Sequence, residues 1–298
     1  MIRKPDNALQ WQSKTILLLV VPWTVASVIL QAHWWITQVP VVAWTTLGIS
    51  GIFGLIVWWL KAGTPAAAAT GAAITASLMF ATTRYSYQTS WLHGGLPPLL
   101  TVFLLTFAAT KIGRAKKERL GTGESKRGRN AAQVAANLGV AALVAQPRIL
   151  ALPDSRASDT TGDFAILLAV AVLAEAAADT ISSEIGQVFG GQPRLITTLR
   201  RVEPGTDGGI TLAGTIAGTV ASAIVAGVGV WAIGDGLLAF ACCTGFGVFG
   251  LLFDSLLGAT LERRKWLNND AVNFLSTLSI PVFVSLAALL LDVVFQPR

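Results

Sequence analysis

The chain has 298 residues, of which 53% are hydrophobic and only 13% charged, with two cysteines and a formal net charge of +6. Soluble domains carry about 25% charged residues, so this deficit, with a mean hydropathy of +0.62, excludes an ordinary soluble fold. Apolar runs of bilayer-crossing length recur throughout, and they predict an all-α, polytopic transmembrane bundle.

The opening stretch MIRKPDNALQWQSK leads into a first span over 15–36, which reads as an uncleaved insertion signal. Eight more spans follow, over 39–60, 65–83, 92–112, 131–150, 163–182, 210–232, 236–258 and 271–293. The chain is thus a single membrane domain, 1–298, in two parts. Residues 1–112 give four spans almost without ionisable groups. Residues 113–298 give five spans joined by polar loops over 113–130, 183–209 and 259–270, and carry the candidate active site.

With the N-terminus placed in the cytoplasm, 18 of the 22 Lys and Arg residues fall inside. Arg84, Arg148, Arg156 and Arg298 are left outside. This asymmetry predicts N-terminus in and C-terminus out, in a bacterial-type inner membrane. The net charge is therefore mostly a topology signal. The basic loops lack interleaved aromatics, which argues against nucleic acid as a partner. Trp34, Trp35, Trp58, Trp59 and Trp266 near span ends read as interfacial anchors. Cys242 and Cys243 are adjacent within an apolar run, a spacing that suits packing rather than a disulfide or a zinc site. His33 and His93 fall near outer connections, so no His-based metal site or Ser-His-Asp triad assembles on the inner face.

The sixth span ends in AEAAADTISSEIG, residues 174–186. A carboxylate at membrane depth costs on the order of several kcal/mol and calls for a partner or a function. On a helix, Glu175, Asp179, Ser182 and Gly186 share one stripe, and Glu184 points elsewhere. Asn130, Gln133 and Asn137 form a similar stripe at the same end of the fifth span. Asp254 and Gly258 stand one turn apart on the eighth, and Asn269 and Asn273 open the ninth. Capping and interhelical hydrogen bonds explain any single Asn. Three carboxylates together require relief of their repulsion, by protonation as in a relay or by a divalent cation with oxygen ligands.

The loops favour the cation. ESKRGRNAAQV places Lys126, Arg127 and Arg129 at the start of the helix that bears Asn130, a cationic cradle for phosphate. RRVEPGTDGGIT places Gly205, Thr206, Gly208 and Gly209 around Asp207, a turn that offers backbone N–H groups to an anion and a carboxylate to a metal. No Walker-type spacing occurs. The residues alone thus predict an intramembrane metal and phosphate site on the cytoplasmic face.

KRGRNAAQVAANLGVAAL, ADTISSEIG, PRLITTLRRVEPGTDGGIT, GTIAG, DSLLGAT and NNDAVN occur in that order between 126 and 273. Together they resemble the integral-membrane family that includes the plant and cyanobacterial phytyl-phosphate kinase of the tocopherol pathway. Residues 1–112 match only as hydrophobic spans. Glu262 stands where Gln is expected, and Ser182 where Ala is commoner.

The resemblance implies a kinase that makes an isoprenyl diphosphate from a phytyl or polyprenyl monophosphate, with CTP as nucleoside triphosphate and Mg2+ as cofactor. On that reading Glu175, Asp179, Asp207 and Asp254 hold Mg2+, with Glu184 the weakest member of the set. Asp179, Asp254 and Arg127 act at the reacting groups. Lys126 and Arg129 bind donor phosphates, Asn130, Asn137, Asn269 and Asn273 orient oxygens, and Arg194 or Arg200 covers the site. The same residues suit a cytidylyltransferase acting on a lipid phosphate. A cation- or proton-coupled transporter is the alternative of another class, disfavoured by the apolar outer halves of these helices.

Overall fold

The computed structural model describes residues 10–83, 94–123, 125, 127–146 and 159–295. Lys126, His93 and the four outer arginines lie outside these residues. The described residues form helices α1 (Trp11–Gln38), α2 (Pro40–Trp59), α3 (Pro65–Thr82), α4 (Leu96–Lys111), α5 (Arg114–Leu120) and α6 (Ala131–Val144). They continue as α7 (Asp159–Phe189), a two-stranded hairpin of β1 (Arg194–Leu195) and β2 (Gly209–Ile210), then α8 (Leu212–Ile233), α9 (Leu237–Leu257) and α10 (Asn269–Phe295). A π-helical turn, Gly258–Glu262, extends α9. The all-α class holds, and the hairpin is a loop ornament.

Seven helices are long and apolar enough to cross a membrane, or eight if α4 and α5 form one span bent by 69°. The expected span that falls outside this count is the fifth, α6, which has only 14 residues. At 1.5 Å per residue it is about 21 Å long, short of a hydrocarbon core of about 30 Å. Helices α1, α3, α7 and α10 surround it, so its small residues Ala132, Ala135, Ala136 and Gly139 meet protein rather than lipid.

Helix α7 runs through the middle of the bundle. Every residue from Ala169 to Ala178 is buried, and the main apolar cluster joins this stretch to Leu99, Val102, Val140, Val225 and Ile280 of four other helices. Helix α8 packs along it through small residues. A side chain on Gly214 would meet the Ser182 carbonyl at 2.6 Å, and one on Gly218 the Ala178 carbonyl at 2.7 Å. The GTIAG spacing is therefore a helix-packing device. Cys243 is buried in the same way, its thiol 3.5 Å from the Leu167 carbonyl, and both cysteines are free.

Leu18, Leu19, Ile29, Leu55, Trp59 and Ile216 are exposed, as expected of a lipid-facing surface. Trp35 departs from the expected interfacial role: it is buried with Ala32, Val42 and Phe80.

Hydrogen bonds gather the polar loops at one end of the bundle. The Arg129 carbonyl accepts from Thr64 N at 2.9 Å, tying α6 to the α2–α3 turn. Lys116 Nζ reaches the Val188 carbonyl at 2.6 Å, and Ser13 Oγ donates to Asp270 Oδ2 at 2.6 Å. The starts of α1, α3, α6, α8 and α10 and the ends of α2, α4, α7 and α9 therefore share this polar end.

Candidate functional site

Two cavities open at the polar end, one on each side of α7. The first, of about 250 Å³, is lined by Asp179, Asp254, Asn269, Asn273, the 204–209 turn and Glu262. The second, of about 230 Å³, lies between α2, α3, α4 and α6, with Phe53, Val57 and Phe103 above and Lys61, Lys111 and Arg129 below. Ala176 lines the second cavity and Asp179 the first, so less than one turn of α7 separates an apolar chamber from an acidic one.

The acidic chamber is built from three helices. Helix α7 continues seven residues beyond the predicted end, to Phe189, which places Asp179, Ser182 and Gly186 together on its wall. Asp254, one turn before the end of α9, lies within hydrogen-bonding reach of Asp179. Oriented so that its donors meet acceptors, the Asn273 carboxamide donates to Asp254 Oδ2 at 3.3 Å and to the Asn269 carbonyl at 3.1 Å. Its oxygen then faces Asn137 Nδ2 at 3.3 Å, and Asn137 also donates to the Gln133 carbonyl at 2.7 Å. Arg129 is the cation beside Asp179. Its guanidinium also approaches Thr180 Oγ1 at 3.5 Å.

Glu175 sits one turn deeper, behind the pair rather than on the wall. It is 1% exposed. Its Oε1 accepts from Ser276 Oγ at 2.7 Å, while its buried Oε2 has no hydrogen-bond partner. Gly250 makes room for it, since a side chain there would collide with the Glu175 methylenes.

The other predicted residues fall into two groups. Gly205, Thr206, Asp207, Gly208 and Gly209 line the acidic chamber as a turn, in which Gly205 and Gly208 take φ of 84° and 72°. The Thr206 and Gly209 amides are spent on carbonyls within the turn, at 3.2 and 2.9 Å.

The remaining predicted residues are elsewhere. Glu184 pairs with Lys117 and accepts from Thr110 Oγ1 at 3.3 Å, which removes it from the acidic group. Asn130 is the N-cap of α6, in a capping box with Gln133 at 3.0 and 2.8 Å. Arg127 is exposed and lines neither cavity. Arg194 donates to the Leu199 carbonyl at 2.9 Å, and neither it nor Arg200 lines the acidic chamber.

Sequence reasoning also left unassigned Lys61 and Lys111, which line the second cavity, and Ser276, which donates to Glu175. The lysines carry a readable signal, because Phe53, Val57 and Lys61, and likewise Phe103, Phe107 and Lys111, repeat at four-residue spacing.

Among the described residues, no three His, Cys, Asp or Glu side chains draw together into a ready-made metal cage. The donors here are two adjacent carboxylates with carboxamides behind them and an unpartnered buried carboxylate oxygen below. That set suits Mg2+, which commonly takes one or two protein carboxylates and completes its octahedron with waters and substrate phosphate oxygens.

The family described as integral membrane protein DUF92 matches residues 48–280. An uncharacterized membrane protein of Methanocaldococcus jannaschii is 40% identical over 116 residues, 39% of this chain and 48% of that protein. Protein PGR of Arabidopsis thaliana is 31% identical over 236 residues, 64% of this chain and 80% of PGR. Protein VTE6, chloroplastic, of Arabidopsis thaliana is 29% identical over 177 residues, 58% of this chain and 52% of VTE6. The chain thus spans about half the length of the archaeal protein and of VTE6. No solved structure matches it.

Proposed function

The chain belongs to this integral membrane family, and on that premise we propose that it is a membrane-embedded phosphotransferase with a phosphate group as acceptor. It moves a phosphoryl group from a nucleoside triphosphate, CTP by the resemblance of its motifs, to a phytyl or polyprenyl monophosphate. The products are the isoprenyl diphosphate and a nucleoside diphosphate. The site faces the cytoplasm of a bacterial-type inner membrane on the positive-inside reading of the loops.

One observation carries this reading: an acidic chamber and a cationic, apolar chamber meet across Asp179 and Arg129. A nucleotide with its cation suits the first, and a lipid with an anionic head suits the second.

In the reaction an oxygen of the lipid phosphate attacks the γ-phosphorus, and the bond from that phosphorus to the β–γ bridging oxygen breaks. The electron pair leaves with the nucleoside diphosphate. The acceptor is already largely ionised near neutral pH, so positioning and charge neutralisation matter more than a general base. Bound Mg2+ would supply that neutralisation at the donor phosphates. Asp179 and Asp254 would hold it, and Asn273 fixes the Asp254 carboxylate. Glu175 lies one turn below the pair, and Arg129, which lines the second cavity, draws the acceptor phosphate to the carboxylate pair instead of holding donor phosphates as its sequence position suggests. The Gly205–Gly209 turn closes the mouth over the donor.

The test is direct. Purified protein is incubated with Mg2+, each of the four common nucleoside triphosphates and a panel of isoprenyl monophosphates, and the lipid products are identified by mass. An isoprenyl diphosphate with a nucleoside diphosphate is the expected outcome. A CDP-lipid with pyrophosphate would replace the kinase with a cytidylyltransferase. Ion-dependent uptake in proteoliposomes without nucleotide turnover would replace both with a transporter.

A further inference from the structure

The cavity between α2, α3, α4 and α6 has a polarity of its own. Among the described residues its lining includes five cations, Lys61, Lys111, Arg114, Lys117 and Arg129, and no carboxylate. Two of these are already engaged by carboxylates outside it: Arg114 pairs with Glu118 at 2.9 Å, and Lys117 with Glu184. Lys61 has no ion pair among the described residues, and Lys111 lies 5.0 Å over the Phe107 ring. Lys61 stands just past the end of α2, where its φ of 53° makes the closing turn of the helix.

Above this cationic floor the walls are apolar. Phe53 and Val57 of α2 and Leu99 and Phe103 of α4 line the cavity, and the Phe53 and Phe103 rings meet edge to face at 5.2 Å, which closes its α2–α4 side. From Leu99 to Lys111 the α4 wall runs twelve residues, about 18 Å at 1.5 Å per residue. The volume of about 230 Å³ is more than ten times the ~15 Å³ in which one water fits. An apolar void of that size within a bundle, ending on lysines, matches an anionic amphiphile: a single hydrocarbon chain with a phosphate at one end.

We infer that this cavity is the acceptor subsite, with the isoprenoid chain among α2, α3, α4 and α6 and its monophosphate held by Lys61, Lys111 and Arg129 at the border with Asp179. Helices α2, α3, α4 and α6 thereby select the lipid, and α7, α9 and α10 bind the nucleotide. This inference rests on the phosphotransferase reading and adds the substrate's position and the residues that select it.

Gly71 of α3 provides a clean probe. It lines the cavity, and a Cβ built on it meets nothing within 4 Å. A larger residue at 71 therefore enters the void instead of the packing, and it also removes a helix-interior glycine.

The experiment measures binding without turnover. Full-length protein in detergent, with no nucleotide or Mg2+, is titrated with geranylgeranyl monophosphate, geranylgeraniol and inorganic phosphate, and occupancy is read by native mass spectrometry. The wild type should bind the lipid phosphate more tightly than either fragment. Gly71→Phe should weaken lipid-phosphate binding by about tenfold or more, since excluding even two methylenes from burial does so. Its melting temperature should hold, with Gly71→Ala as a fold control. Lys61→Gln with Lys111→Gln should lose about tenfold or more for the lipid phosphate and leave geranylgeraniol unaffected.

Wild-type affinity in Gly71→Phe would place the chain elsewhere and overturn this subsite while leaving the phosphotransferase reading intact. Equal affinity for inorganic phosphate and the lipid phosphate would overturn the subsite too. No binding of any isoprenyl monophosphate by the wild type would overturn both.

Discussion

Asp179 and Asp254 come from helices 75 residues apart in sequence and meet within hydrogen-bonding reach at the floor of the acidic chamber. Two carboxylates so placed repel each other unless a cation or a proton lies between them. Asp179→Asn keeps the size and removes the charge. It should lower phosphoryl transfer by about 10²–10³-fold or more, the scale at which loss of one preorganised electrostatic contact is felt. Thermal stability in detergent should not fall, because a buried charge has been removed. A fully active Asp179→Asn protein would strip the pair of its metal role.

Asn130 should behave in the opposite way. As the N-cap of α6, its change to Ala should lower stability by about 1 kcal/mol, with transfer per folded molecule unchanged. Unfolding curves and rates on the same preparation separate the two outcomes. At this scale the sequence was half legible. Asn130, Gln133 and Asn137 form one stripe in either case, and the spacing of a capping box is also the spacing of a ligand row. Only the fold shows that Asn130 turns back to its own helix while Asn137 reaches Asn273.

Among the elements, α7 illustrates what hydropathy misses. Its apolar run predicts an end near 182, where the charge density rises. The helix instead continues to Phe189, because Glu184 acquires a partner. Lys117 of α5, 1% exposed, pairs with Glu184 and donates to the Ala109 and Thr110 carbonyls at 3.0 and 2.9 Å. One ammonium thus satisfies the open carbonyls at the end of α4 and fixes α4 and α5 at their 69° bend. A positive φ of 61° at Gly113 makes the corner.

Breaking a buried pair by removing one partner leaves the other charge uncompensated. Glu184→Ala should therefore destabilise the protein by about 3–5 kcal/mol, whereas Lys117→Met combined with Glu184→Leu should recover much of that loss. Chemical unfolding of the three variants checks this. If Glu184→Ala is as stable as the wild type and fails only in Mg2+-dependent transfer, Glu184 returns to the metal set. No sequence pattern links residues 67 positions apart, so this pair was not legible.

For the molecule as a whole, the order of helices and the gathering of polar loops at one end were legible, because apolar length and loop charge are additive signals that need no tertiary knowledge. The cavity between α2, α3, α4 and α6 was not. Its walls come from separate helices whose residues look like ordinary lipid-facing spans, and its lysines read as topology charges. Both roles hold together: cations that anchor a span end also form the floor of a chamber that opens there.

The sidedness of that end remains a physical prediction from loop charge. Thr197 is exposed on the β1–β2 hairpin of the polar end, and Asp235 is exposed in the α8–α9 turn of the opposite end. In a background with Cys242→Ala and Cys243→Ala, Thr197→Cys should react with a membrane-impermeant maleimide only in inverted membrane vesicles. Asp235→Cys should react only in intact, right-side-out cells. The reverse pattern would move the acidic chamber away from the nucleotide pool, and the phosphotransferase reading would lose its donor.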